Sequence, residues 1–152
     1  MKTKPIALIL MLVSLIVIAS CSPSQGWDIT KLEKSTLTIS ENAAVTMSLA
    51  NDDIAGDAKE LAVIIKNSNG ECSYGYEPRL EIEYQSEWYV VPIKEMSAWI
   101  EIAVILQPGS ETEESFILFD HYGTLPAGSY RYVKAFHAEN ETIHSAVYFK
   151  IA

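Results

Sequence analysis

The chain has 152 residues, 49% of them hydrophobic, and carries 11 basic against 20 acidic residues, a formal net charge of −9 at pH 7. A surface of that sign repels phosphate backbones, which argues against nucleic acid as a partner. The length suits one domain with one core.

Lys2 and Lys4 precede an apolar run from Ile6 to Ala19 that is interrupted only by Ser14. A charged start followed by an apolar run is the layout of an export signal. The run is shorter than the roughly 20 apolar residues a helix needs to cross a bilayer, so it is read as a signal rather than a span. It ends in Ile18-Ala19-Ser20-Cys21, an aliphatic residue and two small ones before cysteine, which resembles the lipobox of bacterial lipoproteins. The resemblance implies that the Cys21 thiol receives a diacylglyceryl group, that residues 1–20 are cleaved, and that the protein is held by its fatty acyl chains on the extracytoplasmic face of a cell membrane. Two or three chains on one residue anchor essentially permanently, at about 0.8 kcal/mol per buried methylene. Loss of residues 1–20 removes Lys2 and Lys4 and leaves 9 basic against 20 acidic residues.

Ser22-Pro23-Ser24-Gln25-Gly26 is polar and turn-rich and reads as a tether. Residues 21–43 are taken as tether and approach segment, in which 31–34 suits a helical turn and 35–39 alternates like an edge strand. The domain proper is expected over 44–152.

From about Ala43 the pattern has a period of two, with short runs rich in Val, Ile, Tyr and Phe between Gly, Pro, Asn and Asp clusters. That predicts an all-β antiparallel sandwich or barrel. Strands are expected at 45–50, 61–67, 79–85, 87–93, 102–106, 112–119, 128–137 and 143–151, with a turn near 120–122 and a short helix a possibility at 96–99. Leu80, Ile82 and Tyr84 alternate with Glu81 and Glu83, so the glutamates are assigned to a solvated face. In 130–137 the inward parity is open, and 62–65, apolar on both parities, predicts a central strand. Asn69-Gly70 suits positive φ, and Pro108-Gly109 suits a type II turn.

Two stretches, Glu87-Trp88-Tyr89-Val90-Val91-Pro92 through Ile105-Leu106-Gln107-Pro108-Gly109-Ser110, and Tyr122-Gly123-Thr124-Leu125-Pro126-Ala127-Gly128-Ser129-Tyr130-Arg131, together resemble bacterial immunoglobulin-like domains. The resemblance covers about 44 to the C-terminus. It implies an immunoglobulin-like sandwich in which Tyr130 makes the structural corner by hydrogen bonding back to the backbone. It also implies a core tryptophan, Trp88 or Trp99. Tyr132 stands where antibody domains carry their second cysteine, so aromatic packing replaces the inter-sheet disulfide.

Catalytic motifs such as HExxH, GxSxG, GxGxxG, a P-loop or CxxC do not occur, and the chain is read as a non-enzyme with no cofactor. His137 and His144 flank the loop 138–142, where Glu139 or Glu141 would complete a metal site; the alternative is exposed polar residues at strand ends. Asp52, Asp53 and Asp57 lack EF-hand spacing and read as a solvated loop. With Cys21 acylated, Cys72 is a lone cysteine assigned to the loop 67–75, either reactive or simply a small apolar residue. Glu111, Glu113 and Glu114 form a charged strand edge that blocks aggregation.

Three functions follow from these readings. The leading one is a membrane-anchored, non-enzymatic binding or structural module for a protein or glycan ligand. The others are a protease-inhibitor-like module using the 67–75 loop and a metal-binding protein using His137 and His144.

Overall fold

The structure is a computed structural model that describes residues 27–40, 43–51, 59–77, 79–95 and 97–152. Among the described residues nine strands form: β1 (Val45–Leu49), β2 (Leu61–Asn67), β3 (Cys72–Tyr74), β4 (Arg79–Tyr84), β5 (Glu87–Val90), β6 (Val104–Leu106), β7 (Glu111–Phe116), β8 (Gly128–His137) and β9 (Thr142–Ile151). They make two antiparallel sheets, a small one of order β1-β2-β7 and a large one of order β5-β4-β8-β3-β6 with β9 on the other side of β8. This is the expected all-β sandwich. β2, apolar on both parities, is the central strand of the small sheet.

β8 organises the large sheet. It pairs with β9 along its whole length, while β4 takes residues 130–133 and β3 takes 136–137 on its other side. Tyr130, Tyr132, Lys134 and Phe136 all point into the sandwich and are buried, which settles the open parity. The core joins these residues to Leu61, Val63 and Ile65 of β2, Phe116 of β7, and Val147 and Phe149 of β9. Ring stacking continues through it, with Phe116 against Tyr132 and Tyr130 against Phe149.

Turn chemistry explains several chain reversals. Gln85 and Ser86 both take positive φ, 52° and 63°, the type I′ geometry that matches the twist of a two-residue hairpin. Gly109, at φ 73°, supplies the corner expected after Pro108. Gly70 is not in the left-handed region, contrary to the Asn-Gly expectation, because the Asn67 side chain shapes that turn instead. Leu118–Tyr122 closes into one short helix, α1, and a 3-10 turn at Ile29–Lys31 is capped by Asp28, whose carboxylate accepts from the Thr30 amide. No helix forms over residues 97–99.

Residues 33–40 run as a strap over the outer face of the large sheet. Their single ladder contact is Lys34 opposite Tyr89 of β5, with the Ser35 amide donating to Trp88 O and the Val90 amide to Glu33 O. The strap then crosses to β9, where the Ser40 amide donates to His144 O. It is therefore a crossing segment rather than the edge strand expected at 35–39. Among the described residues no helix is long and apolar enough to cross a membrane.

Candidate functional site

One end of the sandwich gathers the close of β2, the start of β3 and the β8–β9 hairpin around a cleft of about 900 Å³. Asn67, buried at the end of β2, builds one wall. Its Nδ2 lies 2.9 Å from Gly70 O and 3.2 Å from both Leu106 O and Gln107 O, while its Oδ1 accepts from the Asn69 amide at 3.1 Å. One amide thus ties its own turn at 69–70 to the end of β6 at 106–107, pairing a buried polar group in full. The opposite wall is the hairpin, closed by the Ala138 amide donating to Glu141 O at 3.0 Å. Among the described residues the cleft is lined by Asn69, Glu71, His137, Glu139, Asn140 and Glu141 but by no lysine or arginine. Such a lining offers hydrogen-bond acceptors in a negative field, suited to ligands rich in donors.

His137 stands opposite Thr142 and His144 opposite Ala135, which puts the two rings on one face but diagonally apart. His137 Nδ1 lies 3.2 Å from Thr142 Oγ1. Among the described residues no three His, Cys, Asp or Glu side chains gather as a metal set, short of the donors zinc takes. Among the described residues, His137, His144 and the hairpin glutamates considered for a metal site are thus not gathered into one set. His137 and His144 both line a groove beside Leu37 of the strap.

The 67–75 segment is corrected as well. Cys72–Tyr74 is a strand paired to β6 on one side and β8 on the other, so the long exposed loop that an inhibitor would insert is absent, and only a pinned turn at 68–71 remains. Cys72 is buried. Burial, with a smaller contribution from Glu71, pushes its thiol up, the opposite of what a reactive cysteine needs. Cys21, the expected lipidation site, and Asp52, Asp53 and Asp57 lie outside the described residues.

The Tyr130 hydroxyl donates to Pro126 O, four residues upstream, at 2.6 Å, and burial holds its phenol above the ordinary 10.0. Neither tryptophan occupies the core. Trp88 lies on the outer face with its ring over the Arg131 guanidinium, and Trp99 sits half-buried at the flank of the sandwich. Tyr130, Tyr132 and Phe136 fill the space that the resemblance assigned to a tryptophan.

Two buried ionic groups escape an alternation-based reading. On the outer face Glu81 is fully buried: Oε1 accepts from Ser35 Oγ at 2.6 Å and Arg79 Nε at 2.8 Å, and Oε2 from Arg131. The assignment of Glu81 to a solvated face fails because the strap and Trp88 cover it. Inside, Lys134 of β8 is only 3% exposed and pairs with Glu114 of β7 at 3.0 Å. Its ammonium also donates to Gly75 O at 3.1 Å and lies 4.8 Å from the Tyr74 ring centroid and 5.7 Å from those of Tyr76 and Tyr132. Glu111 and Glu113 do line the β7 edge, but Glu114 turns inward. The sequence signals differ: Glu81 stands opposite Arg131 in the register of β4 and β8, whereas Lys134 and Glu114 lie on different sheets and meet only across the sandwich.

A family model described as a bacterial Ig-like domain matches residues 41–150. No curated protein matches the chain.

Proposed function

The chain belongs to the bacterial Ig-like domain family, and from that premise we propose that it is a lipid-anchored, non-enzymatic display module that holds its loop-end cleft away from a cell membrane for a protein or glycan ligand. The anchor is Cys21, in the segment Ile18-Ala19-Ser20-Cys21. The strap's ladder contact with the sheet and the cleft lie toward opposite ends of β8, and this separation supports the reading. Lys34 of the strap stands by Tyr89, which faces Ile82, which faces Tyr130 near the start of β8. The cleft forms at His137, the strand's last residue. A ten-residue strand spans about 30 Å. The six residues from Cys21 to Trp27 reach at most about 20 Å, so an anchored chain keeps its strap end near the bilayer and its cleft outward. Ile151 opposite Gly128 brings the C-terminal strand back to the strap end.

The acidic cleft favours partners that present amide, hydroxyl or ammonium donors. The test is fractionation of cells making the intact chain or Cys21→Ser. The intact protein is expected in the membrane fraction with a mass raised by acyl groups, and the variant in the soluble extracytoplasmic fraction. A variant that stays in the membrane fraction, or an unmodified Cys21, refutes the anchor.

A further inference from the structure

A sheet edge is a row of unpaired backbone donors and acceptors that folded proteins cover or charge. In this sandwich the other edges are managed. β5 is capped by the strap at Lys34, β9 receives the Ser40 amide, and β7 carries Glu111 and Glu113 outward. β1 packs beside β9 where the two sheets meet. β6 is different: among the described residues it pairs with β3 on one side only, and its three residues are Val104, Ile105 and Leu106.

The chain leading into β6 is equally bare. Among the described residues its backbone bonds over 97–103 stay local, with Ser97 donating to Lys94 O and Ile102 to Ile100 O. Ile100 is 68% exposed and Ile102 and Ile105 are each 52% exposed. Ile102 shares the parity of core-facing Leu106 and half-buried Val104, yet nothing covers it. Beside this edge a hollow of about 230 Å³ opens between the two sheets, walled by Tyr76, Trp99, Ile100, Glu114 and Phe116. Apolar surface of this kind beside an open edge marks an interaction site.

We propose that β6 and its approach form a docking edge for an extended, basic peptide segment of another protein, which joins the large sheet as an additional strand. Backbone pairing supplies the affinity and alternate side chains the selectivity. One set of alternate side chains, apolar, lies against Ile102 and the hollow at Trp99 and Ile100. The other, cationic, meets Glu101 beside β6, which has no ion pair among the described residues. The charge of the chain selects against a second copy of itself, since each carries a net −9. This site is on the flank, separate from the loop-end cleft, and does not depend on the anchor.

The test measures amide hydrogen exchange in the full-length protein in nonionic detergent. The probe is a synthetic peptide of about ten residues that alternates valine with lysine, with a valine–glutamate peptide and an N-methylated valine–lysine peptide as controls. The valine–lysine peptide is expected to slow exchange over 100–106, and neither control to do so. Ile102→Lys and Ile105→Lys, both at exposed positions, are expected to weaken binding about tenfold with the melting temperature unchanged. The proposal is overturned if no peptide binds, if protection appears at β1, β5 or β9 instead, or if the glutamate peptide binds equally. It is also overturned if the protein sediments as a dimer that Ile102→Lys dissociates, because a second copy then occupies the edge.

Discussion

Lys134 on β8 and Glu114 on β7 form an ion pair of 3.0 Å between the two sheets, with the lysine almost wholly removed from solvent. It links the sheets through charge, in a sandwich whose Cys72 is not in a disulfide. Removing one partner of a buried pair leaves the other charge uncompensated, whereas replacing both by apolar residues of similar volume is often neutral. Lys134→Met and Glu114→Leu are each expected to destabilise by about 3–5 kcal/mol and the double variant to recover most of that loss. Urea denaturation of the three proteins checks this.

Burial pushes the phenols of Tyr74, Tyr122, Tyr130 and Tyr132 above the ordinary 10.0, and burial holds Lys134 below its ordinary 10.5 despite Glu114. A phenol raised in the folded state keeps its proton when the unfolded chain loses it, so its stabilisation is complete below 10 and is lost as the pH climbs beyond. Lys134 acts in the opposite sense, since the folded state releases its proton first and stability gains with pH up to 10.5. Four phenols outweigh one ammonium. Stability is therefore expected to fall above pH 10, with the tyrosinate absorbance of the buried rings developing together with loss of β-sheet circular dichroism.

Tyr130→Phe keeps the stacked ring and removes the donor to Pro126 O. The loss is expected to be about 1 kcal/mol. Tyr130→Ala also opens a cavity in the centre of the core and is expected to cost about 3–5 kcal/mol. The gap between the two variants separates the corner hydrogen bond from the packing of the ring.

Glu81 ties the strap to the sheet through Ser35 while holding Arg79 and Arg131. Glu81→Ala strands two guanidinium groups and is expected to destabilise by about 3–5 kcal/mol. Ser35→Ala loses a hydrogen bond to a charged group, about 1.5–3 kcal/mol. In Ser35→Ala, exchange of amides in 33–40 is expected to accelerate while β8 amides stay protected, because the strap opens locally before the sandwich does.

Most strands were legible because their burial follows a strict period of two, as in Leu61, Val63 and Ile65 or Val147, Phe149 and Ile151. β3 was missed because three residues between turn signals, Cys72 to Tyr74, are too few for a period to declare itself. Its strand state comes from pairing on both sides. Alternation also misplaced Glu81, since the rule assumes that one face of an antiparallel sheet meets water, and here the strap and Trp88 intervene. The histidine pair illustrates the same limit at a candidate site. Sequence spacing brought His137 and His144 to one hairpin, but the register sets them diagonally apart, and among the described residues no third donor gathers with them. The loop-end cleft was not legible at all, because it depends on Asn67 fastening its own turn at Gly70 to the distant carbonyls of Leu106 and Gln107.

The orientation of the cleft is the central claim, and a spin label reports it most directly. The full chain, reconstituted in vesicles containing nickel-chelating lipids, is labelled at Asn140→Cys in the cleft or at Lys31→Cys beside the tether; Cys72, being buried, does not compete for the label. A display module anchored at Cys21 predicts strong relaxation by surface nickel at 31 and weak relaxation at 140. Equal relaxation at the two positions, or stronger relaxation at 140, contradicts it.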